Sequence, residues 1–324
     1  MKNNIFVDPL TKENLDSIEG MFSNSRGKTY TLYNNIPNFI YPDELKGMDL
    51  SAQEFYNGRA TQYDDTLHLT FYTHGIDEIE TRNSFINNLN INENSKVLEI
   101  ACGTGRDSEL IAERLTGANA EFHLQDLSED MMLKCYDKLK NFSLKKSFSL
   151  SNACYLPYPD NYFDATYSFG AVGEFSDKKQ ALAEMVRVTK PGGKVVFGDE
   201  SIPEWYRKTD FYKILTKTNP MFAEEVPWSA FPVEARNTKV EWVIGGTFYL
   251  VTFEVGDGEP VANFDFEIPG SRGGTYRTRF EGELEGVSPE AKIMANKAIQ
   301  KSGKSCYEWI DEAIKTAAEE ELKK

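Results

Sequence analysis

Several absences narrow the reading of this 324-residue chain before any motif is considered. Its four cysteines, Cys102, Cys135, Cys154 and Cys306, form no CxxC pair and no framework of close spacings. A disulfide-stapled secreted fold is therefore not expected, and the thiols fit a reducing, cytoplasmic setting. No run of about 18 apolar residues occurs, so no membrane span is expected. The opening MKNNIFVDPL has one lysine and no apolar stretch, so no signal peptide is expected either. Histidine is scarce, with 3 in the chain, and no His/Cys cluster has metal-ligand spacing, so the metal expectation is none. Basic charge is also short: 36 Lys and Arg against 51 Asp and Glu leave a net −15. Such a chain repels phosphate backbones, which argues against nucleic-acid binding.

What is present is a sizeable core. Hydrophobic residues make up 40% and aromatics 13%, and the length corresponds to about two domain-sized units. Residues 1–80 are rich in Asn, Asp, Tyr and Thr, with 13 acidic against 6 basic side chains. From Ser95 to Glu200 the texture changes. KVLEI (96–100), AEFHLQD (120–126), FDATYSF (163–169) and KVVFGDE (194–200) read as strands. Amphipathic stretches lie between them, at Arg106–Leu115, at Glu129–Leu139 with Ser128 as N-cap, and at Asp177–Thr189. Strand and helix in alternation predict βαβ units and a mainly parallel sheet covered on both faces. Further on, TKVEWVI (238–244) and TFYLVTFEV (247–255) flank Gly245-Gly246, a hairpin signal. The tail offers an alternating segment, TYRTRFEG (275–282), expected as a strand. Two helices follow, one opened by Ser288-Pro289 and one by the capping box S-C-Y-E (305–308).

The first strand runs into VLEIACGTGRDS (97–108), where Glu99, Ala101, Gly103 and Gly105 form an E-x-A-x-G-x-G turn before a helix. Glycines there permit positive φ and close approach of a ligand, and the helix N-terminus favours an anionic group. Alone, the turn fits a dinucleotide, or packing only, equally well. Asp126, 21 residues after Gly105 at the end of the second strand, is placed to accept hydrogen bonds from both hydroxyls of a ribose. Position 108 is Ser instead of the third glycine of the dinucleotide fingerprint, which argues against a nicotinamide or flavin. Asn152-Ala153 precedes a further strand–loop junction, and Thr189–Glu200 begins with a Gly-Gly helix stop before a strand.

Together VLEIACGTGRDS, DLSEDMM, LPYPDNYFDATYS and RVTKPGG resemble, in order and spacing, the motifs of class I S-adenosylmethionine-dependent methyltransferases. The likeness is nearest to the small-molecule group that includes the ubiquinone and menaquinone biosynthesis enzymes. It covers about a third of the chain, and YNGRATQYDD (56–65) is similar to the segment that starts that group's helical cap. The resemblance implies an α/β, doubly wound, Rossmann-like sheet of seven strands, mainly parallel with an antiparallel last strand. It would have a helical N-terminal cap and an appended α-helical C-terminal segment. The expected divisions are a cap over 1–90, a cofactor-binding core over 91–256 and a C-terminal appendage over 257–324. The resemblance further implies S-adenosylmethionine as cofactor and S-adenosylhomocysteine as product. Glu99, Ala101, Gly103, Thr104 and Gly105 would surround the methionine portion, and Asp126 would chelate the ribose. Leu127 and Met131 would pack near the adenine, and Asn152 and Ala153 would meet its edge. Ser168 and Phe169 would lie near the sulfonium. A frequent acid at the position of Asn152 is replaced here by its amide.

The expected partner is a small-molecule methyl acceptor whose nucleophilic atom (N, O, S or C) the sequence leaves open. Substrate-side candidates are Tyr63, Tyr72 and His74 in the cap, and Glu174 and Glu200 after the fourth and fifth strands. His74 could serve as a base, though a capping histidine is the plainer reading. Cys102 and His123 read as packing residues. A rival reading keeps the fold as a cofactor-binding regulatory or scaffold protein without turnover. A lesser one transfers another group from a related sulfonium, for which the sequence shows no obvious paired-acid amine pocket. In the tail, a strand followed by two helices faintly resembles a DNA-binding ribbon-helix-helix, with Arg277 and Arg279 on the strand. Its 9 basic and 10 acidic residues lack the positive footprint. A lid or a homodimer contact through the C-terminal helices fits its apolar face better.

Overall fold

The computed structural model describes residues 5–18, 21–269, 274–281 and 287–324. It separates into two compact units, one ending at Pro260 and one beginning at Val261.

The first unit opens with five short strands ahead of the helical cap: β1 (Asp16–Ile18), β2 (Met21–Ser23), β3 (Thr29–Tyr30), β4 (Leu32–Tyr33) and β5 (Ile36–Pro37). The buried Asp8 ties together the stretch that carries β2 and β3. Its Oδ1 accepts from the Leu10 and Thr11 amides at 2.9 and 2.8 Å, and its Oδ2 from Asn24 and the Tyr30 hydroxyl at 2.8 Å each. The cap itself is α1 (Gly47–Arg59), α2 (Tyr63–Thr73) and α3 (Glu78–Asn87). The core follows as β6 (Lys96–Ile100), α4 (Arg106–Ala112), β7 (Glu121–Asp126), α5 (Glu129–Leu139), β8 (Lys145–Leu150), β9 (Phe163–Phe169), α6 (Lys178–Val188), β10 (Thr189–Glu200), α7 (Asp210–Thr218), β11 (Ala235–Val243) and β12 (Phe248–Val255).

Seven strands form one sheet in the order β11-β12-β10-β9-β6-β7-β8. β6 to β10 are parallel, while β12 runs antiparallel to both β10 and β11. This is the doubly wound, Rossmann-like arrangement with its antiparallel last strand. Alternation along the strands divides the core between the two faces. Leu98, Ile100, Val195 and Phe197 pack with Leu182 and Met185 of α6, whereas Val97, Phe122 and Leu124 pack with Ile111 of α4 and Cys135 of α5. The order reverses between β6 and β9, which places a crevice at their carboxyl ends, where ligands bind in open α/β sheets.

Two elements differ from the sequence expectation in detail. β8, KKSFSL, is a sheet-edge strand whose apolar residues are Phe148 and Leu150, too few to announce a strand by pattern. In the second unit, the strand expected over 275–282 is instead helix α8 (Tyr276–Glu281), with Gly282 outside the described residues. A lone strand needs a partner for its backbone groups, and a helical turn satisfies them locally. The Arg277 side chain reaches Asp265 at 2.7 Å. The strand on which a ribbon-helix-helix would carry Arg277 and Arg279 is therefore absent. α9 (Pro289–Ser302) starts on the Ser288 cap, and α10 (Cys306–Leu322) on the Ser305–Glu308 capping box.

Candidate active site

The turn after β6 is held in an uncommon conformation. Ala101, Gly103 and Gly105 all have positive φ, at 53°, 56° and 84°, and Gly105 is the N-cap of α4. A side chain at Gly105 would meet Cys135 of α5, its Cβ falling 2.9 Å from the Sγ. The next strand stitches the turn in place. The Cys102 amide donates to the Gln125 carbonyl at 3.0 Å, the Ala101 amide to the Gln125 side chain at 3.1 Å, and the Gly103 amide to Asp126 Oδ2 at 2.7 Å. Glu99, facing the same crevice from within β6, accepts the Ser108 hydroxyl at 2.6 Å, and burial pushes its carboxyl well up.

Asp126 ends β7 with its carboxylate in the crevice. Burial raises its pKa to about 6, against the lowering effect of the Ser128, Gly103 and Leu127 amides. Each of its oxygens accepts one of the backbone amides of Ser128 and Gly103, which leaves lone pairs on both.

The cap closes over this crevice through polar contacts that no sequence pattern announces. From α1, Asp49 accepts the Asn152 amide at 2.9 Å, Gln53 donates to the Leu127 carbonyl at 3.0 Å, and Asn57 accepts the Ser128 hydroxyl at 2.6 Å. From α2, Asp64 accepts the Thr104 hydroxyl at 2.5 Å and pairs with Lys138 at 2.7 Å. From α3, buried Arg82 pairs with Glu78 and Asp107 at 2.8 Å each, its guanidinium 5.0 Å from the centre of the Phe71 ring.

The cavity is lined by Glu99, Ala101, Gly103, Thr104, Asp126, Leu127, Met131, Asn152, Ala153 and Phe169. It continues toward Tyr63, Glu174 and Glu200. Of the remaining sequence candidates, Gly105 lies behind the turn and Ser168 is fully buried within β9, its hydroxyl unpartnered among the described residues. Tyr72 is 78% exposed, because its neighbour Phe71 takes the inward face of α2. His74 caps the C-terminus of α2, with its ring against Gly245 and Phe211, outside the cavity. Tyr56 of α1 lines the cavity and was not singled out from sequence. Its hydroxyl lies beside Glu174, and its ring meets that of Tyr63 edge-on with centroids 6.0 Å apart. Phe175, Ile244 and Phe248 complete that end with apolar surface.

This crevice falls within a stretch of the chain that is similar in sequence to known methyltransferases. Residues 97–193 match the family model described as a methyltransferase domain. The chain is 38% identical over 143 residues to the ubiquinone/menaquinone biosynthesis C-methyltransferase UbiE of Cupriavidus metallidurans, covering 44% of this chain and 58% of that protein. It is 39% identical over 116 residues to UbiE of Proteus mirabilis, covering 35% and 45%. The chain thus spans about half the length of these relatives. Among solved structures, the phosphoethanolamine N-methyltransferase 2 of Haemonchus contortus with S-adenosylmethionine shares the fold at a TM-score of 0.50 and 13% identity, over 68% of this chain and 62% of that one.

Proposed function

We propose that this chain transfers a methyl group from S-adenosylmethionine to a small-molecule acceptor by in-line displacement. The observation that carries the reading is one continuous cavity joining the Gly103–Asp126 crevice to a second, aromatic and acidic end. The residues present fit the cofactor. Positive φ at Ala101 and Gly103 opens the backbone to close approach, and Asp126 offers a buried carboxylate with free lone pairs. Asp126 would hold the ribose hydroxyls and the Gly103–Thr104 turn the methionine portion, with Leu127 and Met131 against the adenine. Asn152 would present its edge-reading carbonyl or amide with the side chain fixed by Asp49.

When bound, the sulfonium supplies an activated methyl group whose departure leaves a neutral thioether. The chain's own task is positional: to hold the acceptor about 3–3.5 Å from the reacting carbon, in line, and to exclude water. Phe169 of β9 and the cap tyrosines wall the cavity where that contact would be made. A regulatory protein without turnover needs only the cofactor end, and the extension of the cavity beyond it supports catalysis. Incubation with methyl-labelled S-adenosylmethionine and a small-molecule extract tests the proposal. Label should pass into the low-molecular-weight fraction. Label that stays on the cofactor, with the cofactor nevertheless bound, would favour the regulatory reading.

A further inference from the structure

The acceptor end of the cavity has chemistry of its own. Glu174 follows β9, Glu200 ends β10, and both face the cavity. Asp199 stands behind them, accepting the backbone amides of Gly173 and Glu200. Among the described residues no lysine, arginine or histidine is paired with any of the three. The cationic side chains that do line the cavity are engaged elsewhere, Arg82 with Glu78 and Asp107, and Arg106 with Glu78 at 2.7 Å. Removing carboxylates from water without a counter-charge is costly. Burial first, and then the charge of Asp199 beside them, accordingly push Glu174 and Glu200 up.

A second, independent feature faces the same space. Tyr63 lines the cavity, and its hydroxyl has no hydrogen-bond partner among the described residues, although burial pushes it up to about 12. Beside it stand two tyrosine rings, Tyr56 and Tyr63, of the kind that attract a desolvated cation through their faces. An acidic pair with no cationic partner among the described residues, a hydroxyl without a partner there and aromatic walls together suit a positively charged, hydrogen-bond-donating ligand.

We infer that the methyl acceptor is an amine, which enters as an ammonium, pairs with Glu174 and Glu200, and donates to the Tyr63 hydroxyl. This rests on the methyltransferase reading and deepens it. Before attack, one N–H bond of the ammonium breaks and its proton forms an O–H bond on the Glu174 carboxylate. The nitrogen keeps the electron pair and becomes the nucleophile. An acid whose affinity for protons is raised by burial suits that role better than an exposed one. Tyr56, Tyr63 and Glu200 lie outside residues 97–193, the span that matches the methyltransferase domain.

Calorimetric titration of the full chain, preloaded with S-adenosylhomocysteine, tests the inference with phenethylamine and its uncharged isostere 2-phenylethanol as probes. The amine should bind at least roughly tenfold more tightly than the alcohol, a preference of the size one desolvated charge pairing readily supplies. In the double variant Glu174→Gln, Glu200→Gln that preference should collapse, while affinity for S-adenosylhomocysteine, held at the other end, stays unchanged and reports a folded protein. Equal or tighter binding of the alcohol, binding of neither probe, or a preference that survives the double variant would overturn the amine assignment. Failure of S-adenosylhomocysteine to bind the unmodified chain, seen before any probe is added, would overturn the methyltransferase reading with it.

Discussion

Gly105 illustrates how a single residue sets the shape of the crevice. Its φ of 84° lies in the left-handed region, and its missing side chain leaves room for Cys135. Gly105→Ala should therefore destabilise the protein by about 1–3 kcal/mol, through backbone strain and overlap together, read as a lower urea midpoint. An unchanged midpoint would show that the turn is looser than described. The glycines and Asp126 were legible in the sequence because strand, turn and helix fix their spacing within a few dozen residues. Tyr56 and the Glu174–Glu200 pair were not. The two acids are 26 residues apart, and they share a cavity only because β9 and β10 are adjacent in the sheet. That is also why a sequence without a visible paired-acid pocket folds into one that has it. Tyr72 and His74 carry suitable chemistry but lie on the outer side and at the end of α2, a distinction that its weak apolar pattern does not reveal.

At the scale of elements, the cap is attached by charge as well as by apolar packing. α3 contributes Phe85 and Ile86 to the core, and its Arg82 reaches Asp107 of α4, which also accepts the Tyr167 hydroxyl of β9 at 3.0 Å. Arg82→Ala would leave Asp107 buried without its counter-charge, and a loss of about 3–5 kcal/mol is expected in denaturant unfolding. Pairing Arg82→Met with Asp107→Leu should restore most of that loss. If the single variant costs nothing, the ion pair does not anchor the cap. The strongly patterned elements, β6, β9, α5 and α6, stand within a residue or two of where the sequence puts them. Those without a pattern of their own were harder to see. β8 is mostly polar because it closes an edge, and β1 to β5 are only two or three residues long, with Asp8 bonded to Asn24 beside β2 and to Tyr30 of β3. The segment at 275–281 alternates like a strand but is helical, since alternation alone supplies no partner strand.

For the molecule as a whole, the sheet order gathers the ends of five parallel strands at one edge and lays the cap across them. The whole cavity lies within the unit ending at Pro260. Net charge of −15 bears on solubility and on attraction of cations, and leaves the fold itself unspecified. The account depends most on Asp126 as the ribose ligand, and one titration addresses it: affinity for S-adenosylhomocysteine, measured for the unmodified chain and for Asp126→Ala between roughly pH 5 and 8. Asp126 has a pKa raised to about 6, so its carboxylate is ionised above that value and protonated below it. Hydroxyl donors are held by the ionised form, so affinity should fall as pH drops through about 6. In the variant, loss of charge-assisted hydrogen bonds worth about 1.5–3 kcal/mol each should weaken binding at least tenfold at neutral pH and flatten the profile. Equal affinity in the two proteins, with the same dependence on pH, would contradict the account.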